Sequence, residues 1–169
     1  MKAAALPARR VEVRDLKRSD LPAVVRLDAR HTGRRKLAYW TAVFDDFLGR
    51  GGAKSKVGLA ADHGGVKGYL LGEVRAFEFG SEPCGWIFAV GVDPDRSRLG
   101  IASALLDAAV SRFRDAGVAR VRTMVRRADV PVLSFFRSNG FFAGSFVQLE
   151  LELDALPKAV AIKAARRKT

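Results

Sequence analysis

The stretch that most constrains the fold is residues 84–106, "CGWIFAVGVDPDRSRLGIASALL". It opens with an almost unbroken apolar run, "CGWIFAVGV", the pattern of a strand covered on both faces. A polar turn follows. From Gly100 onward Ile101, Leu105, Ala109 and Phe113 recur at helical spacing, and the stripe stops before Gly117. A strand buried on both faces needs helices above and below its sheet, so the chain is expected to be α/β.

The flanking segments agree with that expectation. "VEVRDL" alternates apolar and polar positions as a first strand would. Ser19 suits a helix N-cap ahead of Leu21, Val24, Val25 and Leu27, which share one helical face. "RRKLAYWTAVFDDFLGR" predicts a second amphipathic helix, ended by Gly49 to Gly52. "KVGLAAD" and "GVKGYLLGEVRAFEF" are two strands joined by the glycine turn "HGG", a hairpin signal. Beyond Gly117, "VARVRTMVRR" predicts a strand, "ADVPVLSFFRSNGF" a helix ending at Asn139-Gly140, and "GSFVQLELEL" a closing strand with strict alternation. The order is β-α-α-β-β-β-α-β-α-β. A nucleotide-binding fold of regularly alternating strands and helices would not begin this way, so a mixed sheet in one α/β sandwich is expected.

The length of 169 residues suits a single domain, placed at residues 11–153 between basic segments 1–10 and 154–169. The formal charge of +12 is concentrated at the ends. Lys158, Lys163, Arg166, Arg167 and Lys168 lie in the last twelve residues, and Lys2, Arg9 and Arg10 in the first ten. The C-terminal tail carries no aromatic residue on which a base could stack, so nucleic acid is not an expected partner. A second basic cluster, Arg26, Arg30, Arg34, Arg35 and Lys36, surrounds Asp28 inside the domain. No apolar stretch reaches the roughly 20 residues that span a bilayer, and the N-terminus lacks a secretory apolar core. Cys84 is the one cysteine, and with two histidines it argues against a structural zinc site; no metal is expected. These features predict a cytoplasmic protein.

The turn at residues 93–100 poses the functional question. The first turn of a helix presents backbone N–H groups without intrahelical partners at the positive end of the helix dipole. A pyrophosphate supplies the missing acceptors and the complementary charge. Gly100 and Ala102 leave room for phosphate oxygens beside the backbone, and Arg96 and Arg98 add attraction. The alternative is an ordinary connection whose arginines face water.

In this context the chain resembles the GNAT superfamily of acyl-CoA-dependent N-acyltransferases. The family signature runs Arg or Gln, two residues, Gly, one residue, Gly or Ala. Gly100 and Ala102 match it, and Ser97 stands at the leading position between Arg96 and Arg98. About thirty residues later "DVPVLSFFRSNGF" resembles the second signature: Asp129 at the Asn position, Val132 at the Ala, Phe135-Phe136 at the apolar-Tyr pair, then Gly140-Phe141. The resemblance implies a three-layer α/β/α sandwich whose mixed sheet splays at its centre. It places coenzyme A against Val90 and Val92, whose backbone would pair with the pantetheine arm as an added strand. It extends that site through Arg96, Ser97, Arg98, Leu99, Gly100, Ile101, Ala102 and Ser103, and to Asp129 and Phe136.

The implied reaction is direct attack of a neutral amine on the acetyl-CoA thioester in a ternary complex. An alkylammonium has a pKa near ~10.4, so a base must help it lose a proton. "CGWIFAVG" contains no carboxylate. Glu73, which interrupts the apolar run "YLLGEVRAF", is the first candidate base, with Glu82 as the alternative and Glu78 nearby. Phe136 has no hydroxyl to protonate the leaving thiolate; with a thiol pKa near ~8.5 the thiolate can leave unassisted, or another donor serves. "LDARHTGRRKLAYW" supplies Asp28, His31, Arg34 and Tyr39 as the expected acceptor wall, whose cationic rim suits an acceptor with a carboxylate or phosphate beside its amine. The expected partners are an acyl-CoA and a small-molecule or peptide amine; a homodimer stays open. Two functions from different classes follow: an N-acetyltransferase, or a catalytically degenerate acyl-CoA-binding sensor or interaction module.

Overall fold

The period-two segments assemble into one five-stranded sheet with helices on both faces. The computed structural model describes residues 11–49, 55–96 and 99–153. Strands β1 (Glu12–Asp15), β2 (Lys56–Asp62), β3 (Val66–Arg75) and β4 (Cys84–Val92) pair antiparallel in chain order, and β5 (Val121–Thr123) lies parallel to β4. Helices α1 (Leu21–Thr32) and α2 (Leu37–Leu48) follow β1, α3 (Ile101–Asp115) connects β4 to β5, and α4 (Val130–Ser138) follows β5. The expected α/β architecture with a mixed sheet is present, and the sheet is open. The terminal segments, Ser97 and Arg98 lie outside the described residues.

Alternation along β2 and β3 sends neighbouring side chains to opposite layers. Val57, Leu59, Ala61 and Leu70 join Ile101, Leu105, Ala109 and Phe113 of α3 and Phe136 of α4 in one core. Ala60, Tyr69 and Leu71 join Val24, Val25 and Leu27 of α1 and Trp40 and Phe44 of α2 in the other. Fully burying an apolar side chain of this size contributes roughly 1.5–3 kcal/mol, so both layers are needed to hold the sheet. A close approach fixes α3: a Cβ on Gly85 would lie 2.5 Å from Cγ of Phe113. The helix can settle on β4 only because that position has no side chain.

Two local expectations are corrected. Ser19 does not cap α1; it is exposed within a short 3₁₀ turn (Arg18–Asp20), and Asp20 stands at the N-cap position. The Asp20 carboxylate accepts from the Lys17 amide at 2.8 Å and from the Arg14 guanidinium at 2.8 and 3.0 Å, tying the helix entry to β1. The closing strand expected in residues 144–153 does not form. Val147, Leu149, Leu151 and Leu153 alternate as foreseen but are 69–89% exposed. Alternation needs a partner edge, and β5 supplies just three residues of ladder. Phe146 instead meets β5 through a side chain, with the Arg122 guanidinium 4.5 Å from its ring centroid.

Candidate active site

The site begins with an interruption in β4. Leu71 pairs with Ala89, but the next residue, Gly72, pairs with Ile87, leaving Phe88 as an extra residue in a β-bulge. On the other edge of β4 the parallel ladder joins Gly85, Trp86 and Ile87 to Val121, Arg122 and Thr123 and ends there. The Thr123 hydroxyl donates to the Ile87 carbonyl at 2.9 Å, closing the last rung. Past that point the two strands part. Phe88, Ala89 and Val90 on one arm and Thr123, Met124, Val125 and Arg126 on the other border a cavity of about 410 Å³. Backbone groups on this side of β4 have lost their strand partner, so an extended chain bearing amides can enter the fork as an added strand.

Helices α1 and α2 form the wall above the fork. Asp28 of α1 lines the cavity at 6% exposure, and Lys36, just before α2, holds it with Nζ 3.1 Å from Oδ1 and 3.0 Å from Oδ2. Tyr39 and Trp40 of α2 and Tyr69 of β3 complete the wall. The Trp40 ring stacks edge-on against Tyr39 and Tyr69 at centroid distances of 5.2 and 5.3 Å. Tyr69 reaches this position because β4 has Gly91 beneath it, where a Cβ would lie 2.6 Å from the ring. Burial first, and then the negative field of Asp28, pushes the Tyr69 phenol well above its ordinary range, so its hydroxyl stays protonated. The far side of the cavity is made by Asp129, Val132 and Phe136. Asp129 caps α4, accepting from the Val132 amide at 3.3 Å.

The end of β4 leads to the N-terminus of α3. Gly100 occupies the N-cap with φ +72°, and nothing lies within 4 Å of where its Cβ would be. The first intrahelical bond runs from the Ala104 amide to the Gly100 carbonyl at 2.9 Å, so the amides of Ile101, Ala102 and Ser103 have no carbonyl one turn back within the helix. This open first turn fits a pyrophosphate. The preceding turn is braced from α1. Arg30 donates to Asp93 at 2.5 Å and to both oxygens of Asp95 at 3.1 Å, and His31 Nε2 lies 2.7 Å from the Val92 carbonyl. The Arg30 hydrogen bonds hold the Asp95 carboxyl below its ordinary range.

The structure sorts the residues expected from sequence. Val90, Asp129 and Phe136 come together at the fork, with Asp28 and Tyr39 opposite them. Gly100, Ala102 and Ser103 lie at the first turn of α3, while the Ile101 side chain is buried in the core and contributes through its backbone. Arg96 and Leu99 are exposed beside this turn; Ser97 and Arg98 lie outside the described residues. His31 braces Val92 and does not line the cavity, and Arg34 is exposed. Glu73 and Glu82 are also away from it. Glu73 accepts from Arg75 Nε at 3.0 Å, and Glu82 is exposed in the β3–β4 loop. Glu73 interrupts its apolar run because β3 is half-exposed there, so the carboxylates bordering the cavity are Asp28 and Asp129. Tyr69 and Thr123 escaped sequence reasoning; the Gly91 that admits Tyr69 shows its purpose only once β3 and β4 are in register.

Comparisons with known proteins agree with this geometry. A sequence model of the Acetyltransferase (GNAT) family matches residues 15–141. Mycothiol acetyltransferase from Saccharomonospora viridis is 35% identical over 63 residues, which is 37% of this chain and 21% of that protein. Among solved structures, an aminoglycoside N-acetyltransferase AAC(6')-Iy in complex with CoA superposes with a TM-score of 0.74 at 14% identity, covering 88% of this chain and 99% of that one. A transcriptional regulator from Bacillus halodurans gives a TM-score of 0.71 at 21% identity, covering 85% and 99%. These likenesses concern the fold. No helix among the described residues is long and apolar enough to cross a membrane. With the splayed strands, the open helix N-terminus and a family match spanning most of the domain, the chain belongs to the GNAT acetyltransferase family.

Proposed function

We propose that this protein is an N-acetyltransferase that moves an acetyl group from acetyl-CoA to an amine while both are bound. The observation carrying this reading is the cavity at the β4–β5 fork, which has an unpaired strand edge on one side and a buried carboxylate, Asp28, on the other. Acetyl-CoA, when bound, supplies the thioester carbonyl that the amine attacks. Amides at the start of α3 receive the phosphates, and the backbone of Ala89 and Val90 aligns the pantetheine amides. Arg96, with Ser97 and Arg98 beside it, adds positive charge near the phosphates, including the 3′-phosphate.

Asp28 takes over the role for which Glu73 and Glu82 were considered. It orients the acceptor amine and takes up the proton released as the C–N bond forms and the C–S bond breaks. Phe136 offers no proton to the departing sulfur, which leaves as the thiolate; Tyr69, kept protonated on the same cavity, can stabilise it by donating a hydrogen bond. The missing hydroxyl at Phe136 is also what favours the second reading, a binding module that senses acyl-CoA. Release of free thiol from acetyl-CoA across a panel of amines separates the two. The transferase reading expects amine-dependent release that drops about 100-fold or more in Asp28→Asn, within the usual contribution of a positioned base. Tight CoA binding without amine-dependent release would establish the sensor.

A further inference from the structure

We infer that the acceptor is an amine carrying an anionic group, such as a carboxylate, a few bonds from its nitrogen, and that Asp28 and Lys36 recognise its two ends. This inference rests on the transferase reading and adds the substrate class. The acidic and basic side chains on the cavity wall are equal in number: Asp28 and Asp129 against Lys36 and Arg126. A polycationic acceptor would find no surplus of negative charge there. Arg34 and Arg35, directly before Lys36 and both exposed, tilt this end of the wall toward positive.

The Asp28–Lys36 pair is unequal in a way that suits exchange. The Asp28 side chain is 9% exposed on a helix face, whereas that of Lys36 is 37% exposed at the end of a flexible stem. Lys36 makes an aligned hydrogen bond to Oδ1, but Oδ2 is buried without a hydrogen bond, even though Nζ lies 3.0 Å away. The carboxylate thus retains unused acceptor capacity, covered by a movable cation. An incoming amine can take that capacity while the Lys36 ammonium turns to the anion of the same molecule. Each charge exchanges one partner for another, so neither is left buried and unpaired. Trp40 adds a donor to the same wall: its buried Nε1–H has no acceptor, so an oxygen of the incoming molecule can take it. An acceptor with a cationic tail would displace Lys36 and leave it without a counter-charge.

The experiment uses three acceptors of matched length: 5-aminopentanoate, pentylamine and 1,5-diaminopentane, whose far ends are anionic, neutral and cationic. Thiol release by the full chain should give kcat/KM falling in that order, by about tenfold per step for one such interaction gained or lost. Lys36→Met should remove the preference for aminopentanoate mainly through KM, and Lys36→Glu should favour the diamine. Coenzyme A affinity, measured by calorimetry, should stay unchanged in both variants. A preference of the natural chain for the diamine, or an order insensitive to both substitutions, would overturn the inference and leave acetyl transfer standing. CoA binding without turnover of any amine would overturn the transfer reading and this inference with it.

Discussion

Gly91→Ala tests the packing that shapes the α1–α2 side of the cavity. In a strand interior, alanine is ordinarily better than glycine by about 0.5–1 kcal/mol, because glycine loses more backbone freedom on folding. Here the added Cβ would lie 2.6 Å from Cε1 of Tyr69 and 2.8 Å from both Cζ and the hydroxyl oxygen. Tyr69 is 3% exposed and packs edge-on against Trp40 at 5.3 Å, so the ring can give way only toward the cavity it borders, by breaking that contact. Overpacking a tight interior costs typically about 1–3 kcal/mol, which outweighs the entropic gain. The net expectation is a loss of about 1–2 kcal/mol, read as a lower urea midpoint at constant slope. The control is a double-mutant cycle with Tyr69→Leu, which keeps an apolar body but removes the three clashing atoms. In that background Gly91→Ala should become neutral or stabilising, with a coupling in the range of about 0.5–3 kcal/mol seen for residues in contact. Additive effects, or a stabilising Gly91→Ala in the natural chain, would refute the account of this wall.

Gly100→Glu should abolish coenzyme A binding by calorimetry while the fold persists, because the side chain enters open space but brings negative charge to the first turn of α3. The left-handed φ of +72° adds a stability cost of about 1–2 kcal/mol, visible as a lower melting temperature. At Asp20, burial alone would raise the carboxyl pKa, but hydrogen bonds from Arg14 and the Lys17 amide win and hold it below its ordinary value. A depressed folded-state pKa stabilises fully above the unfolded value near ~3.9 and is lost as pH falls through the folded value, so Asp20→Asn should flatten that acid limb of a stability-versus-pH curve. Thr123→Val removes the hydroxyl that closes the last rung of the β4–β5 ladder. It should cost about 0.5–1.5 kcal/mol for the lost hydrogen bond, with a further fall in CoA affinity because the fork loosens.

The sequence read most clearly where one local pattern decides one element. "CGWIFAVGV" is a strand covered on both faces, and the stripe from Ile101 to Phe113 is the face of α3 that meets it. Gly100 belongs to the same local context, between a buried strand and an amphipathic helix, and it takes the N-cap of α3 at φ +72°. What escaped was whatever depends on pairing between distant segments. The extra residue at Phe88 exists only relative to β3, and the fork exists only because β5 stops at Thr123. Residues 144–153 carry a faultless strand pattern, yet their alternation does not supply an edge to pair with. Glu73 drew attention as a polar break in an apolar run, but its partner is Arg75 two residues on. Asp28 is legible in sequence as part of an acceptor wall, but not as a carboxylate beside the fork. Its cavity, its pairing with Lys36 and its closeness to Tyr69 come from the crossing of α1 over β3 and β4.

A crystal structure with coenzyme A tests the central claim most directly. The account predicts the sulfur in the cavity bordered by Asp28, Val90 and Phe136, with the pyrophosphate on the amides that open α3. A thiol placed outside the β4–β5 fork, or nearer Glu73 than Asp28, would contradict it.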